Sequence, residues 1–177
     1  SHIVVQKLGG RINGYRELSK TVLQADGVLA ATPYTYSQTM LSVPEASSGA
    51  IIRGIDPETA SDVLSLNSQL IKGSVTDLDE AGPEDGSKKD EPSARPLPGI
   101  ILGKELARTL NVGIYDNIRL FSPDGPLTPM GVIPKIKTCR VVGIFDTGMY
   151  EYDSSLAYVS LETAKDFLEQ DDSIHGL

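Results

Sequence analysis

The chain has 177 residues, 40% apolar and 23% charged, a composition typical of a folded globular domain rather than a disordered or fibrous protein. Its 16 basic and 24 acidic residues give a net charge of −8, which argues against a general nucleic-acid-binding surface. Seventeen glycines and 11 prolines indicate frequent turns, and therefore short strands rather than a helical bundle. No run approaches the ~20 apolar residues of a membrane span, no signal peptide is predicted, and the single cysteine cannot form an internal disulfide.

The first third of the chain predicts a β-α-β-β order. We expect a strand over residues 3–8, an amphipathic helix over 15–24, an extended segment over 28–43 and a returning strand over 50–55. This order is typical of an α+β fold that ends in antiparallel pairing.

The middle of the chain changes character. Asp56 and Pro57 have the pattern of an N-cap followed by proline at the first helical position, which predicts a helix running towards Leu70. Residues 75–95 contain seven acids and few apolar side chains. Because such a segment buries too little apolar area to offset its ordering entropy, it is predicted to be a mobile surface loop.

The last part returns to alternating strands and helices. Strands are predicted over residues 99–102, 117–121, 137–145 and 156–159, with helices over 104–110 and from an N-cap at Ser160 to about Glu169. Residues 122–134 contain four prolines and two glycines, so no regular structure is expected there. Residues 148–155 are predicted to form a turn.

No catalytic or metal-binding pattern stands out. Residues 99–104 are one residue short of a phosphate-binding loop, and Glu105 occupies the place of its Ser or Thr. His2 and His175 lie near opposite ends of the chain without patterned cysteines or carboxylates, so no zinc site is predicted. Cys139 falls within a strand and is interpreted as a small core side chain. We therefore expect no catalytic residue, no metal and no cofactor.

The Pro-rich segment 122–134 is the feature that indicates function. A solvent-facing loop is normally polar, but this one carries Leu127, Met130, Val132 and Ile133 on a backbone stiffened by proline. Methionine adapts to varied apolar partners, and a stiff loop loses less entropy on binding. Two interpretations remain open at this point: a loop folded onto its own core, or a loop that binds a partner.

Several blocks of the sequence resemble the periplasmic domain of lipoprotein-releasing permeases, the LolC/LolE family, within a wider superfamily that includes macrolide exporters. The blocks are 53–57 (RGIDP), 98–107 (PGIILGKELA), 112–116 (VGIYD), 128–134 (TPMGVIP), 141–145 (VVGIF) and 148–158 (GMYEYDSSLAY).

The resemblance implies an α+β fold: a partial porter-like α/β lobe with an inserted, mostly-β lobe that carries a protruding Pro-rich hairpin loop. Residues 1–55 resemble the first half of the porter-like lobe, residues 56–170 the inserted lobe, and residues 171–177 the start of the return to the porter lobe.

The resemblance also implies a function. The chain would be the periplasmic part of an inner-membrane ABC permease that releases lipoprotein cargo and docks a LolA-like chaperone. Further partners would be a second permease subunit and a cytoplasmic ATPase subunit that hydrolyses ATP, so the chain itself would not be an enzyme. The alternative is the periplasmic arm of a drug- or peptide-exporting permease that docks an adaptor protein.

The implied docking site has two parts. The hook, residues 123–134, has Leu127 and Met130 at its apolar tip positions. Its partner-binding residues are Pro126, Leu127, Thr128, Pro129, Met130, Gly131, Val132, Ile133 and Pro134. The pad comprises Arg119, Ile136 and Lys137. Lys137 stands where the family has arginine, and lysine cannot make the planar bidentate contacts of that residue.

Overall fold

The computed structural model describes residues 3–79, 97–122, 127–129, 131–168 and 172–177, with the backbone alone described for 127, 128 and 132. The elements follow in chain order: β1 (Ile12–Asn13), α1 (Tyr15–Leu23), β2 (Tyr34–Val43), β3 (Ala46–Ile55), α2 (Pro57–Val63), α3 (Leu66–Gln69), β4 (Leu70–Gly73), a 3₁₀ helix (Val75–Leu78), β5 (Gly99–Gly103), α4 (Lys104–Leu110), β6 (Asn117–Ser122), β7 (Leu127–Thr128), β8 (Gly131–Val132), β9 (Lys135–Phe145), α5 (Tyr150–Ser155), β10 (Leu156–Ser160), α6 (Leu161–Leu168) and β11 (Ser173–Ile174).

Seven strands form the main sheet, in the order β4-β9-β5-β10-β3-β2-β6. Strand β6 also pairs with β9, so six of the strands close into a ring. A hydrophobic cluster, called the inner cluster below, fills this ring. Every strand of the ring contributes buried side chains to it, and α4 and α6 add Leu106 and Phe167. A second hydrophobic cluster, called the outer cluster, lies on the opposite face of the sheet. There α2, α3 and the 3₁₀ helix cover residues such as Ile101 and Val142.

The predicted elements with the strongest local sequence signals are confirmed. Helix α4 has the predicted bounds and ends at Asn111 in the left-handed conformation. Ser160 caps α6 as predicted, because its hydroxyl accepts a hydrogen bond of 3.2 Å from the backbone N–H of Thr163. The strands predicted over 117–121 and 137–145 are also present, each slightly longer than expected. Apolar patterning and caps were sufficient for these elements.

Several predicted elements are wrong. Residues 3–8 form no strand, although Val5 exchanges two backbone hydrogen bonds with Leu177 (2.9 and 3.1 Å). The helix predicted to run from Asp56 towards Leu70 breaks near Leu64, whose extended backbone ends α2. The turn predicted over residues 148–155 contains α5, whose buried Asp153 accepts hydrogen bonds from the backbone and hydroxyl groups of Thr147 (2.9 and 2.8 Å).

The predicted start of the loop over residues 75–95 is wrong, because its first residues form the 3₁₀ helix. Val75 and Leu78 lie in the outer cluster and are 3% and 0% exposed, so this first turn is ordered despite its acidic surroundings. It packs close against β5: a Cβ at Gly99 would lie 2.5 Å from the backbone oxygen of Asp77. Residues 80–95 of the predicted loop lie outside the described residues.

The division of the chain at residue 55 stays a prediction. Strands β2 and β3, which precede that boundary, pair within the same sheet as β6 and β10, which follow it. Near the chain ends, β11 pairs with β1, and α1 packs beside this pair in a third cluster formed by Tyr15, Leu161 and Ile174 among others.

His175 fixes the last residues to β2. Its Nδ1 atom accepts a hydrogen bond of 3.2 Å from the backbone N–H of Tyr36 and lies 2.6 Å from the hydroxyl of Thr35. Nδ1 therefore carries no proton, and the Thr35 hydroxyl is the donor. Burial, and secondarily the charge of Arg11, lower the pKa of His175. Protonation of Nδ1 removes the acceptor of the Tyr36 N–H and reverses the hydrogen bond with Thr35, whose hydroxyl oxygen then accepts.

We expect this contact to make stability depend on pH. Because the folded-state pKa of His175 lies below the unfolded value of about 6.5, its contribution is fully present above that pH and is lost as the pH falls through the folded-state pKa. His175→Asn keeps an acceptor that does not titrate. Denaturant unfolding at pH 7.5 and pH 5 should show that the wild type loses more of its free energy of unfolding between the two pH values than His175→Asn does. Equal losses in the two proteins would contradict this role.

Candidate docking site

The hook stands on a regular two-stranded base. Strand β6 pairs antiparallel with the first half of β9, in a register that runs from Asn117 opposite Arg140 to Ser122 opposite Lys135. Ile118, Leu120 and Cys139 point into the inner cluster, which fixes these strands to the core. The two strands that carry the hook are therefore antiparallel, and their apolar inner side chains anchor them in the core.

The hook itself contains a short hairpin. Strand β7 pairs with β8, with Leu127 opposite Val132 and Thr128 opposite Gly131. Gly131 has φ +113°, a conformation that L side chains rarely adopt. The expectation of no regular structure in residues 122–134 is therefore wrong for these four residues and for Ser122, the last residue of β6.

The described hook residues are exposed. Pro129, Gly131 and Pro134 lie on the surface, and Ile133 is 55% exposed. Pro126 and Met130 lie outside the described residues, as do the side chains of Leu127, Thr128 and Val132. The predicted exposure of the two tip residues, Leu127 and Met130, therefore stays a prediction.

The pad residues do not form one surface. Arg119 and Ile136 lie on the outer face of β6 and β9, and Ile136 is 57% exposed. Lys137 points the other way, because successive strand residues alternate between faces. Its ammonium group forms an ion pair with Asp166 of α6, and its side chain is 24% exposed. The structure thus brings Arg119 and Ile136 together beside the hook and directs Lys137 towards α6.

Two apolar residues beside Ile136 were not predicted from the sequence. Met40 of β2 lies opposite Phe121 of β6, and Phe121 lies opposite Ile136 of β9. These three residues form an apolar row across three strands at the foot of the hook, with Met40 52% exposed and Phe121 half-buried. The alternation in β2 was readable from the sequence, but its register against β6 was not.

Cys139 has the properties of a core residue rather than a nucleophile. Its side chain is fully buried in the inner cluster, and desolvation raises the pKa of its thiol to about 12, while the charge of Lys137 acts weakly in the opposite direction. The thiol is therefore protonated at neutral pH. Among the described residues, no group of three or more His, Cys, Asp or Glu side chains is arranged to hold a metal ion.

The acidic side chains of one surface hollow are partly neutralised. This hollow of about 740 Å³ lies between α1 and α6. In it, the Lys165 ammonium donates to Asp172 at 2.5 Å, and Arg16 pairs with the other oxygen of the same carboxylate. These hydrogen bonds, first that of Lys165, hold the pKa of Asp172 below its usual value. The arrangement joins α1 to α6.

Comparison with known sequences identifies relatives of this chain. No protein-family profile matches it. The lipoprotein-releasing system transmembrane protein LolC of Neisseria meningitidis is 31% identical over 166 residues, which cover 92% of this chain and 36% of that protein. LolC of Xylella fastidiosa strain Temecula1 is 29% identical over 174 residues, which cover 97% of this chain and 38% of that protein. The resemblance to LolC-type permeases is confirmed. This LolC-like chain spans little more than a third of the length of either relative.

Comparison with solved structures confirms the fold class. The extracellular domain of the ABC-type transporter YknZ from Gram-positive bacteria superposes with a TM-score of 0.58 at 13% identity, over 94% of this chain and 71% of that one. The periplasmic region of MacB from Actinobacillus actinomycetemcomitans gives 0.55 at 15% identity, over 97% and 64%. The LolC-like chain therefore has the α+β fold of these extracytoplasmic domains. Within the part that the structure describes, no helix is both long and apolar enough to cross a membrane.

Proposed function

We propose that this LolC-like chain is the periplasmic domain of an inner-membrane ABC permease that releases lipoproteins and docks a periplasmic LolA-like chaperone through its hook. The observation that carries the proposal is the hook itself. A Pro-rich hairpin with an exposed Ile133 stands on the two-stranded base formed by β6 and β9, which is anchored in the core. Nearly all of this chain is related to LolC. An exposed apolar side chain on a stiff support is suited to an interface anchor, because little ordering entropy is lost on binding.

The same proposal assigns the other steps of transport to other subunits of the transporter. ATP would be hydrolysed by a separate cytoplasmic subunit, and a second permease subunit would complete the membrane part. Lipoprotein cargo would pass from the membrane to the chaperone held at the hook. The periplasmic domain would then act by positioning the chaperone rather than by chemistry, and we propose that it is not an enzyme.

The pad residues should contribute unequally to chaperone binding. Arg119 is exposed and free to steer an acidic partner, whereas the Lys137 ammonium must leave Asp166 before it reaches one. We therefore expect Arg119→Ala to slow association several-fold at low salt, with less effect at high salt, and Lys137→Ala to change it less. Stopped-flow association at two salt concentrations would measure both. A larger effect of Lys137→Ala would contradict the unequal roles.

The alternative is an adaptor-docking arm of a drug- or peptide-exporting permease. The fold likeness to the MacB periplasmic region favours it, at a TM-score of 0.55. The two proposals differ in their partner, so parallel titrations of the 177-residue chain with a LolA-like chaperone and with a periplasmic adaptor protein would separate them. Saturable binding of the chaperone alone supports lipoprotein release, and binding of the adaptor alone supports export.

A further inference from the structure

A second surface hollow, of about 460 Å³, lies between α5 and the outer face of β2 and β3. It is called the tyrosine pocket below, and the residues that line it include Tyr34, Tyr36, Ile51, Arg53, Glu151 and Tyr152. Ligand sites typically have this size and combine aromatic walls with a few charged groups. The tyrosine pocket is separate from the hook, because its Tyr36 lies four residues along β2 from Met40, which corresponds to ~13 Å.

Arg53 brings a positive charge to this pocket. It is half-buried, and in the sheet it lies between Tyr36 of β2 and Tyr158 of β10. Its guanidinium lies over the ring of Tyr34, 4.7 Å from the centroid. Among the described residues no carboxylate forms an ion pair with it, and its buried Nε atom has no hydrogen-bond partner there. Because a partly desolvated charge without a counter-charge raises the free energy of the folded chain, an anion in the pocket would be bound favourably.

The surroundings of Arg53 favour a carboxylate as that anion. A planar guanidinium that stacks on an aromatic ring presents its N–H donors at its edge, where a carboxylate accepts two of them. Glu151, exposed in the first turn of α5, lines the same pocket, so a doubly charged phosphate would meet more repulsion than a singly charged carboxylate. The neighbouring Tyr158 does not supply the negative charge, because burial raises the pKa of its hydroxyl, with the charge of Arg53 acting in the opposite direction.

The tyrosine rings provide an apolar wall beside Arg53. The hydroxyl of Tyr34 accepts a hydrogen bond of 2.6 Å from Nε2 of Gln6. The ring of Tyr36 packs on that of His175, with centroids 4.4 Å apart. Tyr36 and Tyr152 are 49% and 51% exposed, so both rings offer surface to a ligand. Rings that are already held in place lose little entropy on binding, and they pack well on aromatic or branched apolar groups.

We infer that the tyrosine pocket is a binding site for an organic carboxylate. The anionic group pairs with Arg53, and an aromatic or branched apolar body lies against the rings of Tyr36 and Tyr152. A free organic acid and the C-terminal end of a peptide both have this chemistry. The site does not rest on the proposed function, because the pocket is separate from the hook and its test uses no chaperone.

The test compares N-acetylphenylalanine with its uncharged amide in NMR titrations of the 177-residue chain. The acid should bind at least tenfold more tightly than the amide, since hydrogen bonds between charged groups contribute more than neutral ones. In Arg53→Gln this preference for the acid should disappear, whereas a merely structural role of Arg53 would weaken the binding of both ligands equally. Arg140→Gln removes another half-buried arginine, on β9 outside the pocket, and should keep the preference.

A pair of tyrosine variants in α5 tests the apolar wall without a change at Arg53. Tyr152→Leu removes a ring that lines the pocket, and Tyr150→Leu removes one that is 70% exposed on the same helix outside it. Tyr152→Leu should weaken binding of the acid about threefold, and Tyr150→Leu should leave it unchanged within about twofold. Glu151→Gln should tighten binding of the acid several-fold, because it removes a like charge from the pocket.

Three results would overturn the inference. Equal affinities of wild type for the acid and the amide would mean that the pocket does not select a carboxylate. Unchanged backbone resonances of Tyr36, Arg53 and Tyr152 at about 10 mM acid, a concentration that suits ligands of this size, would exclude the site. Tighter binding of inorganic phosphate than of the acid would assign the pocket to a different anion.

Two further measurements complete the test. Thermal unfolding shows whether Arg53→Gln is folded, and if it is not, the acid–amide comparison in wild type and the pair of tyrosine variants decide. Titration with 3-phenylpropionate, which has the ring and the carboxylate without a peptide group, distinguishes the two sources of ligand. Affinity equal to that of N-acetylphenylalanine indicates a free organic acid, and weaker affinity indicates a peptide C-terminus.

Discussion

Replacing Met130 by alanine is expected to weaken chaperone binding about thirtyfold. Truncating a well-buried interface anchor costs ~2 kcal/mol or more, and each 1.4 kcal/mol corresponds to about tenfold in affinity. The resemblance to LolC-type permeases implies that Met130 is a tip residue of the hook, and there it would enter an apolar groove of the partner. Isothermal titration of the LolC-like chain with a LolA-like chaperone would measure the change.

A matched control exists in the same chain. Met149 is 54% exposed on the segment that precedes α5, outside the hook and the apolar row. Met149→Ala therefore makes the same chemical change at an exposed site without a proposed contact, and its affinity should equal that of wild type. Equal affinities for wild type and Met130→Ala would refute the role of the hook tip.

Replacing Phe145 by alanine is expected to lower the free energy of unfolding by ~3–5 kcal/mol. Phe145 is completely buried in the outer cluster and packs edge-on against Tyr158, with ring centroids 5.4 Å apart. The substitution leaves a cavity beneath the helices that cover this part of the sheet, so most of the lost contacts are not recovered.

Phe121→Ala is the control for this second prediction. It removes the same side chain from the uncovered part of the outer face, where Phe121 is only half-buried. We expect it to lower the free energy of unfolding by less than Phe145→Ala does, because Phe121 keeps part of its surface in solvent. Urea unfolding of both variants, analysed with a common m-value, gives the comparison. Equal destabilisation would mean that the outer face is covered near Phe121 as it is near Phe145.

The parts of the fold that were predictable depend on local signals. Helix α4 lies between Gly103 and Asn111, and both boundaries follow from the preferences of those residues at helix ends. Strand β9 is a long run of mostly apolar and β-branched residues, with Cys139, Val141 and Ile144 in the inner cluster. Such patterns indicate structure without knowledge of the rest of the molecule.

The parts that were not predictable depend on tertiary contacts. The 3₁₀ helix contributes Val75 and Leu78 to the outer cluster, but its acidic neighbours made the whole segment resemble a solvated loop. The apolar row requires Met40 to meet Phe121, 81 residues further along the chain, in a register set by burial of the opposite face. The position of Lys137 beside Asp166 likewise depends on how α6 packs against β9.

Site-specific photo-crosslinking tests the docking of a chaperone at the hook most directly. A photoreactive side chain at Ile133, in the exposed part of the hook, is compared with one at Tyr150 of α5, which is 70% exposed outside the hook and the apolar row. In cells that produce the complete permease, we expect Ile133 to crosslink to the LolA-like chaperone and Tyr150 not to. No chaperone adduct from Ile133, or equal adducts from both positions, would contradict docking through the hook.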